Sequence, residues 1–361
     1  MSKRSEIHFI KPCRNPEEDH RVLTPQHAME MLKQRKIVQI NLDNCSLQRM
    51  EELPANPTLA EAEAVGLLPL VEILQSAPVA LTPMGIHEMP DRYVENARRA
   101  YESFCATFWP THKDDADATY RTIDENSTDR WVDFTKLSDG ARCTYGGAYV
   151  ALLQMQNIQK TYPSFAPEKK FELYIHSMIS MLDLISAFEL EIAKYAFWST
   201  SDININRLPK RIITRRADIK ENFTKLKSTS SKCKRSAFNG AMDIYWLSGA
   251  NLSEDFGAKI KTSVGELTLD NWVGTNDVKL FRICEDLHSV PHNDSKTMRF
   301  STTREPELTA LPYWQNVDRL SRDVMLYRYE NGYQSLEDTL LPRIDLAVKH
   351  LHEELHSAMG S

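Results

Sequence analysis

The pattern of apolar and polar positions begins with short apolar runs that alternate with longer helical stretches. Residues 37–42 form a β-branched run that stops abruptly at Asp43, and residues 79–81 form a second, shorter run. Residues 58–75 and 90–108 carry apolar side chains at helical spacing. This order of strand, helix, strand and helix predicts that the two strands pair in parallel, because parallel neighbours need a long crossover connection.

The second half of the chain continues this alternation. Residues 171–188 place apolar side chains three and four positions apart, as in a helix that packs against a core. The small and polar residues 239–243 open an apolar helix over 244–250. A final strand is predicted over 267–274, followed by a helix from Val278. Together these patterns favour an α/β fold with a small parallel sheet flanked by helices.

The same patterns predict where the sheet domain is interrupted. An N-terminal arm over 1–30 precedes the first half of the domain, which spans 31–110, and the second half spans 237–295. Residues 111–236 are interpreted as a helical insertion, and residues 296–361 as a C-terminal helical extension.

Composition and charge narrow the classes of partner and compartment. The 361 residues include 44 Lys and Arg and 50 Asp and Glu, a net charge of −6, so any surface that binds nucleic acid must be local. The six cysteines are widely spaced, which fits a reducing compartment, and we expect a cytoplasmic protein. Charged residues interrupt the most apolar long stretch, 178–198, so no membrane span is predicted.

Acidic residues are predicted to converge at one edge of the sheet. Asp43 follows the first strand and Glu88 lies in the turn after the second. Asp243 begins the helix that precedes the last strand, and Asp277 follows that strand. The carboxyl ends of parallel strands form the functional crevice of such sheets. Clustered carboxylates raise one another's pKa unless a cation neutralises them. Mg²⁺ or Mn²⁺ suits such a cluster and promotes phosphodiester hydrolysis.

Four blocks of sequence resemble the PIN-like domain nucleases. They are residues 37–43, 79–88, 240–243 and 273–277, the last of which reads Val-Gly-Thr-Asn-Asp. A hydrophobic strand followed by Thr, any residue and Asp is how the final acidic motif of that family usually reads. Two features depart from the family: Asn44-Cys45 follows the first acid, and about 150 residues separate the second acid from the third.

The resemblance implies a PIN-like fold and cleavage of RNA, in which a metal-bound water attacks the phosphodiester. It assigns the catalytic and Mg²⁺- or Mn²⁺-binding roles to four acids and a supporting role to two neighbours: Asp43, Glu88, Asp243 and Asp277, with Thr275 and Asn276. The expected substrate is RNA, single-stranded or tRNA-like. The resemblance also suggests a toxin or an antiviral defence effector, for which we expect control by a regulatory protein or by homo-oligomerisation.

A basic segment lies just before Asp243. Residues 207–235 contain eleven Lys and Arg against Asp218 and Glu221, and Phe223 is their only aromatic residue. Such a segment favours contact with a phosphate backbone over base stacking. The nucleic-acid-binding candidates are Arg211, Arg215, Arg216, Lys232, Lys234 and Arg235. A solvated charged helix followed by a loop is the alternative interpretation.

Other chemistries remain open from the sequence. His352-Glu353-Glu354-Leu355-His356 satisfies the H-E-x-x-H pattern of zinc metalloproteases, although only five residues follow it. Asp270 replaces Asp277 as a ligand if the last strand ends earlier than predicted. Cleavage of DNA or of flap structures would use the same acids. A degenerate acidic pocket would instead leave a protein that binds a partner or forms oligomers.

Overall fold

The computed structural model describes residues 4–11, 22–109, 131–199, 207–255, 259–262, 265–283, 287–290, 299–302, 304–331 and 339–359. The chain divides into two units. One comprises Met1–Val132 and Trp246–Ser301, and the other comprises Asp133–Tyr245 and Thr302–Ser361. No helix among these residues is both long enough and apolar enough to cross a membrane.

The first unit contains a sheet with helices packed against it. Its strands are β1 (His8–Ile10), β2 (Lys36–Leu42), β3 (Val79–Thr82), β4 (Lys259–Thr262), β5 (Gly265–Thr275), β6 (Leu287–Val290) and β7 (Arg299–Thr302). Its helices are α1 (Pro25–Lys33), α2 (Asn44–Glu51), α3 (Leu59–Ala64), α4 (Leu68–Ser76), the 3₁₀ helix Met84–Glu88, α5 (Asp91–Phe108) and α11 (Val278–Ile283). Helix α10 (Ser230–Asp255) begins in the second unit and ends in the first.

The main sheet has the strand order β1-β5-β2-β3, and β4 also pairs with β5. Strand β2 pairs in parallel with both β3 and β5, so three neighbouring strands run in the same direction. Strands β1 and β4 pair antiparallel to β5 on its other side. The sheet is therefore mixed, which corrects the prediction of a parallel sheet, while its parallel centre agrees with that prediction. Strands β6 and β7 form a separate pair.

Apolar burial explains why these central strands form. Val38, Ile40 and Leu42 of β2 are buried, and the helices flanking the sheet cover them with side chains such as Leu47 and Phe104. β-Branched residues suit a pleated surface that is covered in this way. The core of the first unit thus packs against the central strands, whose ends carry the acidic residues.

The stretch over 58–75 is two helices, α3 and α4, and not the single helix predicted. Gly66 separates them with a φ of +82°, which an L-residue with a side chain adopts only with strain. A Cβ at Gly66 would lie 2.3 Å from the carbonyl oxygen of Ser5. The Gly66 carbonyl also accepts a hydrogen bond of 2.8 Å from the Ile7 amide. The break therefore accommodates the segment that leads into β1, so part of the predicted arm belongs to the sheet.

The second unit is helical. It contains the 3₁₀ helix Phe134–Lys136, α6 (Asp139–Thr161), α7 (Pro167–Leu182), α8 (Ala187–Phe197), α9 (Lys210–Ile219), the π-helical turn Lys220–Thr224, α12 (Pro306–Thr309), α13 (Pro312–Asn331) and α14 (Leu340–Met359). Helix α14 packs along α6, where a Cβ at Gly146 would lie 2.5 Å from Ile344 Cγ2. Residues 111–236 and 296–361, predicted as separate insertion and extension, contribute most of this one unit.

Candidate functional site

Three of the predicted acids follow the three parallel strands of the first unit. Asp43 comes directly after β2, Glu88 ends the 3₁₀ helix that follows β3, and Asp277 comes two residues after β5. Because these strands are adjacent and parallel, their carboxyl ends lie at the same edge of the sheet. The charge of Asp277 acts on Asp43, and the charge of Asp43 acts on Glu88. The three carboxyl groups thus form one electrostatic group, which we call the acidic edge.

Asp43 is buried and its carboxylate is held from two sides. As the N-cap of α2, it accepts a hydrogen bond of 2.8 Å from the Ser46 amide. Its other oxygen accepts a hydrogen bond from the Thr275 hydroxyl. Burial raises the pKa of Asp43 to about 6, and the charge of Asp277 adds to that rise against the hydrogen bonds. The side chain is therefore oriented and is easily protonated.

Glu88 is partly buried beside the indole of Trp246. The Trp246 Nε1–H donates to the Glu88 carboxylate, and Trp246 itself is buried on α10. Burial raises the pKa of Glu88 well above its ordinary value, and the charge of Asp43 raises it further. At neutral pH this carboxyl group retains a proton unless a cation compensates its charge.

Gly85 allows the 3₁₀ helix to approach Asp43. A Cβ at this position would lie 2.1 Å from the Asn44 amide nitrogen and 2.3 Å from the Asp43 carbonyl carbon. Both are backbone atoms that a side chain cannot displace without moving α2. Glycine at this position therefore fixes the distance between the turn that carries Glu88 and the start of α2.

Thr275 and Asn276 connect the ends of β5 and β2. The Thr275 hydroxyl donates to Asp43 and accepts a hydrogen bond of 2.9 Å from the Asp277 amide. The Asn276 side chain accepts from the Ser46 hydroxyl at 3.1 Å and donates to the Ser5 carbonyl at 3.1 Å. These hydrogen bonds hold the end of β5 beside the start of α2, and the supporting role of the two residues at a metal site stays a prediction.

Asp243 lies on α10 within the second unit and is half-buried. It does not begin a helix, since α10 starts at Ser230, which corrects the predicted helix start. Across the described residues, no set of three or more His, Cys, Asp or Glu side chains is arranged to hold a metal ion. The electrostatic interactions join Asp43 to Glu88 and to Asp277, and Asp243 stays a sequence-based prediction.

The alternative ligand, Asp270, lies in the middle of β5 and is occupied. Its carboxylate accepts from Trp272 Nε1 at 2.8 Å, and it lies 2.8 Å from Lys11 Nζ and 3.0 Å from His27 Nε2. Burial alone would raise the pKa of Asp270. The hydrogen bonds from His27 and Lys11 outweigh burial and hold that pKa well below its ordinary value. Asp270 thus supports the sheet interior and does not replace Asp277 at the strand end.

The six basic candidates differ in how deeply their side chains are buried. Arg215 is buried, where its guanidinium donates to Glu305 at 2.7 Å and to the Tyr195 hydroxyl at 2.9 Å. It therefore belongs to the interior of the helical unit and is not available to a nucleic acid. Arg216 is partly buried and donates to the Trp198 carbonyl at 3.0 Å. The others lie at or near the surface: Arg211, Lys232, Lys234 and Arg235.

The H-E-x-x-H pattern lies on α14, and its residues form no group of three or more metal ligands within the described part of the chain. His352 Nε2 lies 2.8 Å from the Tyr149 hydroxyl, and burial lowers the pKa of His352 to about 4. His356 is exposed to solvent. The imidazole nitrogen of His352 that would bind zinc is therefore engaged by Tyr149.

Sequence reasoning missed three residues that build the acidic edge: Ser46, Gly85 and Trp246. Ser46 carries a weak local signal, because its position three residues after Asp43 suits an N-cap contact. Gly85 and Trp246 act across long sequence separations, and no local pattern marks them. No protein-family model, no curated protein and no solved structure matches this chain, so the roles of these residues rest on their own chemistry.

Proposed function

We propose that this protein is a metal-dependent endoribonuclease with a PIN-like catalytic unit, and that Asp43, Glu88 and Asp277 form its active site. One observation carries the proposal: three acids follow three adjacent parallel strands, and two of them have raised pKa values. The pKa of Glu88 is set by burial, by the hydrogen bond from Trp246 and by the charge of Asp43. None of these influences comes from a cation, so the arrangement favours the binding of a cation.

The residues fit a hard divalent cation. Mg²⁺ prefers oxygen ligands, keeps several of its waters and is usually held by only one or two carboxylates together with substrate phosphates. Asp43 and Glu88 would hold the ion, and Asp277 would lie beside them. Mg²⁺ or Mn²⁺ would supply Lewis acidity toward the phosphodiester and the attacking water.

The side chains of the protein supply orientation and proton balance. Ser46 and Thr275 hold the Asp43 carboxylate in one direction, and Trp246 holds Glu88. Without a cation, Glu88 retains its proton at neutral pH, and it releases that proton when positive charge arrives. The substrate class, RNA that is single-stranded or tRNA-like, belongs to the same proposal, as does control by a regulatory protein or a second copy.

Cleavage of labelled RNA and single-stranded DNA with Mg²⁺ or Mn²⁺ tests the proposal. Asp43→Asn, Glu88→Gln and Asp277→Asn should each lower kcat by about 100-fold or more. Asparagine caps a helix about as well as aspartate, so Asp43→Asn separates the structural role from the proposed catalytic role. Asp243→Asn tests the fourth predicted acid in the same assay. Glu95→Gln is the matched control, because Glu95 is a half-buried acid of the same unit that pairs with Arg98 and Arg99 on its own helix.

Cleavage that depends on the ion, is lost in the three variants and is retained in the control would support the proposal. Wild-type protein that cuts neither polymer with either ion, and binds neither ion by calorimetry, would contradict it. Preference for single-stranded DNA over RNA would support the catalytic role of the acids but contradict RNA as the substrate.

A second candidate is a partner-binding protein whose acidic edge is purely structural. Two observations favour it: Asp43 already caps α2 and bonds Thr275, and the described residues contain no ready-made group of three metal ligands. Under this alternative, Asp43→Asn leaves every activity unchanged. Sedimentation analysis would then be the measurement that detects a second copy or a bound partner.

A further inference from the structure

The helical unit contains a lysine, Lys220, on which the charges of two other cations act. Lys170 lies on α7, Arg216 on α9, and Lys220 begins the π-helical turn that continues α9. Burial lowers the pKa of Lys220 to about 8, and the charges of Arg216 and Lys170 lower it further. Single π-helical turns within α-helices recur at functional sites. We call these three residues the cation cluster.

One donor atom in the cation cluster, Nε of Arg216, lacks an acceptor among the described residues. Arg216 places its guanidinium 5.4 Å from the Trp198 ring centroid and donates one Nη2–H bond of 3.0 Å to the Trp198 carbonyl. Its Nε is buried, and none of the described residues accepts a hydrogen bond from it. The neighbouring acid Glu221 lies 2.6 Å from Lys225 and 3.9 Å from Lys227. Partly buried like charges disfavour one another, so this arrangement suits an anionic ligand.

An aromatic pair lies beside the cation cluster. The rings of Tyr162 and Phe165 stack with centroids 4.8 Å apart at 27°, and both side chains are exposed. Lys170 Nζ donates a 2.9 Å hydrogen bond to the carbonyl of Pro163, which lies between the two aromatic residues in sequence. That hydrogen bond connects the segment that carries the aromatic pair to the cation cluster. Exposed aromatic rings next to basic side chains are the usual features of single-strand binding.

We propose that this surface binds single-stranded RNA, with a phosphate against Lys170, Arg216 and Lys220 and a neighbouring base on the Tyr162–Phe165 pair. It deepens the proposed function, because it names a surface that holds the proposed substrate. Of the basic residues predicted from the sequence, it retains Arg216. It adds two lysines and two aromatic residues that lie outside that prediction.

Fluorescence anisotropy with a short labelled single-stranded RNA tests the inference. The full-length protein is kept in EDTA, so that binding is measured apart from cleavage. Lys220→Met and Tyr162→Ala should each weaken binding by about tenfold. The controls are Lys169→Met, which removes a lysine adjacent to Lys170, and Tyr327→Ala, which removes an exposed tyrosine of the same unit. Both controls should bind within about twofold of the wild type.

Thermal unfolding shows whether each variant is folded. Lys220→Met removes a poorly compensated charge, so its melting temperature without RNA should equal or exceed that of the wild type. Losses of equal size in the controls, or RNA binding that survives both cluster substitutions, would overturn the inference. A protein that binds inorganic phosphate and not the RNA would overturn it as well. Absence of metal-dependent cleavage with intact RNA binding would instead reject only the proposed catalysis.

Discussion

Thr275 shows how one side chain organises the acidic edge. Its hydroxyl donates to the Asp43 carboxylate and accepts from the Asp277 amide, so it joins two acids that lie far apart in sequence. A hydroxyl can perform both tasks at once because it is both a donor and an acceptor. The Thr-x-Asp spacing at the end of β5 therefore has a physical reason in this chain, independent of any catalytic role.

Gly85→Ala should disrupt the acidic edge. The added methyl group would lie 2.1 Å from the Asn44 amide nitrogen, so either the 3₁₀ helix or α2 must move. We expect a loss of stability of about 2 kcal/mol, together with loss of any metal-dependent cleavage. Chemical denaturation and the RNA cleavage assay measure the two effects.

Gly140→Ala is the matched control for Gly85→Ala. A Cβ at Gly140, in the first turn of α6, meets no atom within 4 Å. Alanine favours a helix over glycine by up to about 1 kcal/mol, so this variant should be neutral or more stable. Equal stability of both variants would show that the 3₁₀ helix does not approach α2 closely.

Residue types at strand ends could be predicted from the sequence, but their neighbours could not. Asp43, Glu88 and Asp277 follow apolar runs, and that local pattern placed them at the ends of parallel strands. Trp246 is 158 residues from Glu88, its hydrogen-bond partner. Contacts over such distances depend on tertiary packing, which a single sequence does not reveal.

Helix α9 shows why a basic segment is not necessarily a basic surface. Arg211 and Arg215 lie one turn apart and both donate to Glu305, but Arg215 is buried and also donates to Tyr195, whereas Arg211 is largely exposed. Charge counting detects the number of arginines but not how deeply each one is buried. The partner Glu305 lies 90 residues further along the chain, beyond the range of any periodic pattern.

Substitution of the buried and of the exposed arginine of α9 should separate their contributions. Arg215→Met leaves Glu305 in a buried setting without its strongest partner, and we expect a loss of about 3 kcal/mol of stability. Arg211→Met removes the exposed and longer contact with Glu305 and should change stability by less than about 0.5 kcal/mol. Urea denaturation of the two variants measures the difference. Similar values for both would mean that the Arg215–Glu305 pair contributes little.

Short elements at the sheet margin were also outside the reach of the sequence. Strand β1 has only three residues, and β4 has four with alternating exposure, too few to establish a two-residue period. The central strands β2 and β3 carry dense apolar runs and were predicted. The direction of the two marginal strands is set by their pairing with β5, and this pairing makes the sheet mixed.

At the scale of the whole molecule, the protein concentrates unfavourable charges in specific places. Some buried acids have cationic partners, as Glu191 has with Arg304 and Lys194, whose charges lower the pKa of Glu191 to about 2 despite burial. Others, such as Glu189 and Asp43, have raised pKa values. The contribution of Asp43 to the pH dependence of stability is therefore isolated by comparing the wild type with a variant at that position.

In EDTA, the free energy of unfolding of the wild type, measured relative to that of Asp43→Asn, should fall as pH rises from about 4 to above 6. The folded state retains the proton of Asp43 up to about pH 6, whereas the unfolded chain releases it near 3.8, so ionisation favours unfolding. We expect a relative change on the order of 2 to 3 kcal/mol. Denaturation curves across this pH range measure it.

Added Mg²⁺ should restore the free energy of unfolding only at pH values at which the carboxylates are ionised. The gain in unfolding free energy should be larger at pH 8 than at pH 5, because protons compete with the ion for the same oxygens. Asp43→Asn should show a smaller gain at pH 8. A gain that is equal at both pH values would indicate that the ion binds elsewhere.

The pairing of β5 with β2 has a consequence for the order of events during synthesis. Asp43 and Thr275 are 232 residues apart, so a ribosome adding about 5 to 20 residues each second needs roughly 10 to 50 s between them. Until β5 emerges, the nascent chain carries Asp43 and Glu88 but not the strand that brings Asp277 beside them. A nascent chain that has not yet extended beyond β5 therefore cannot assemble the acidic edge.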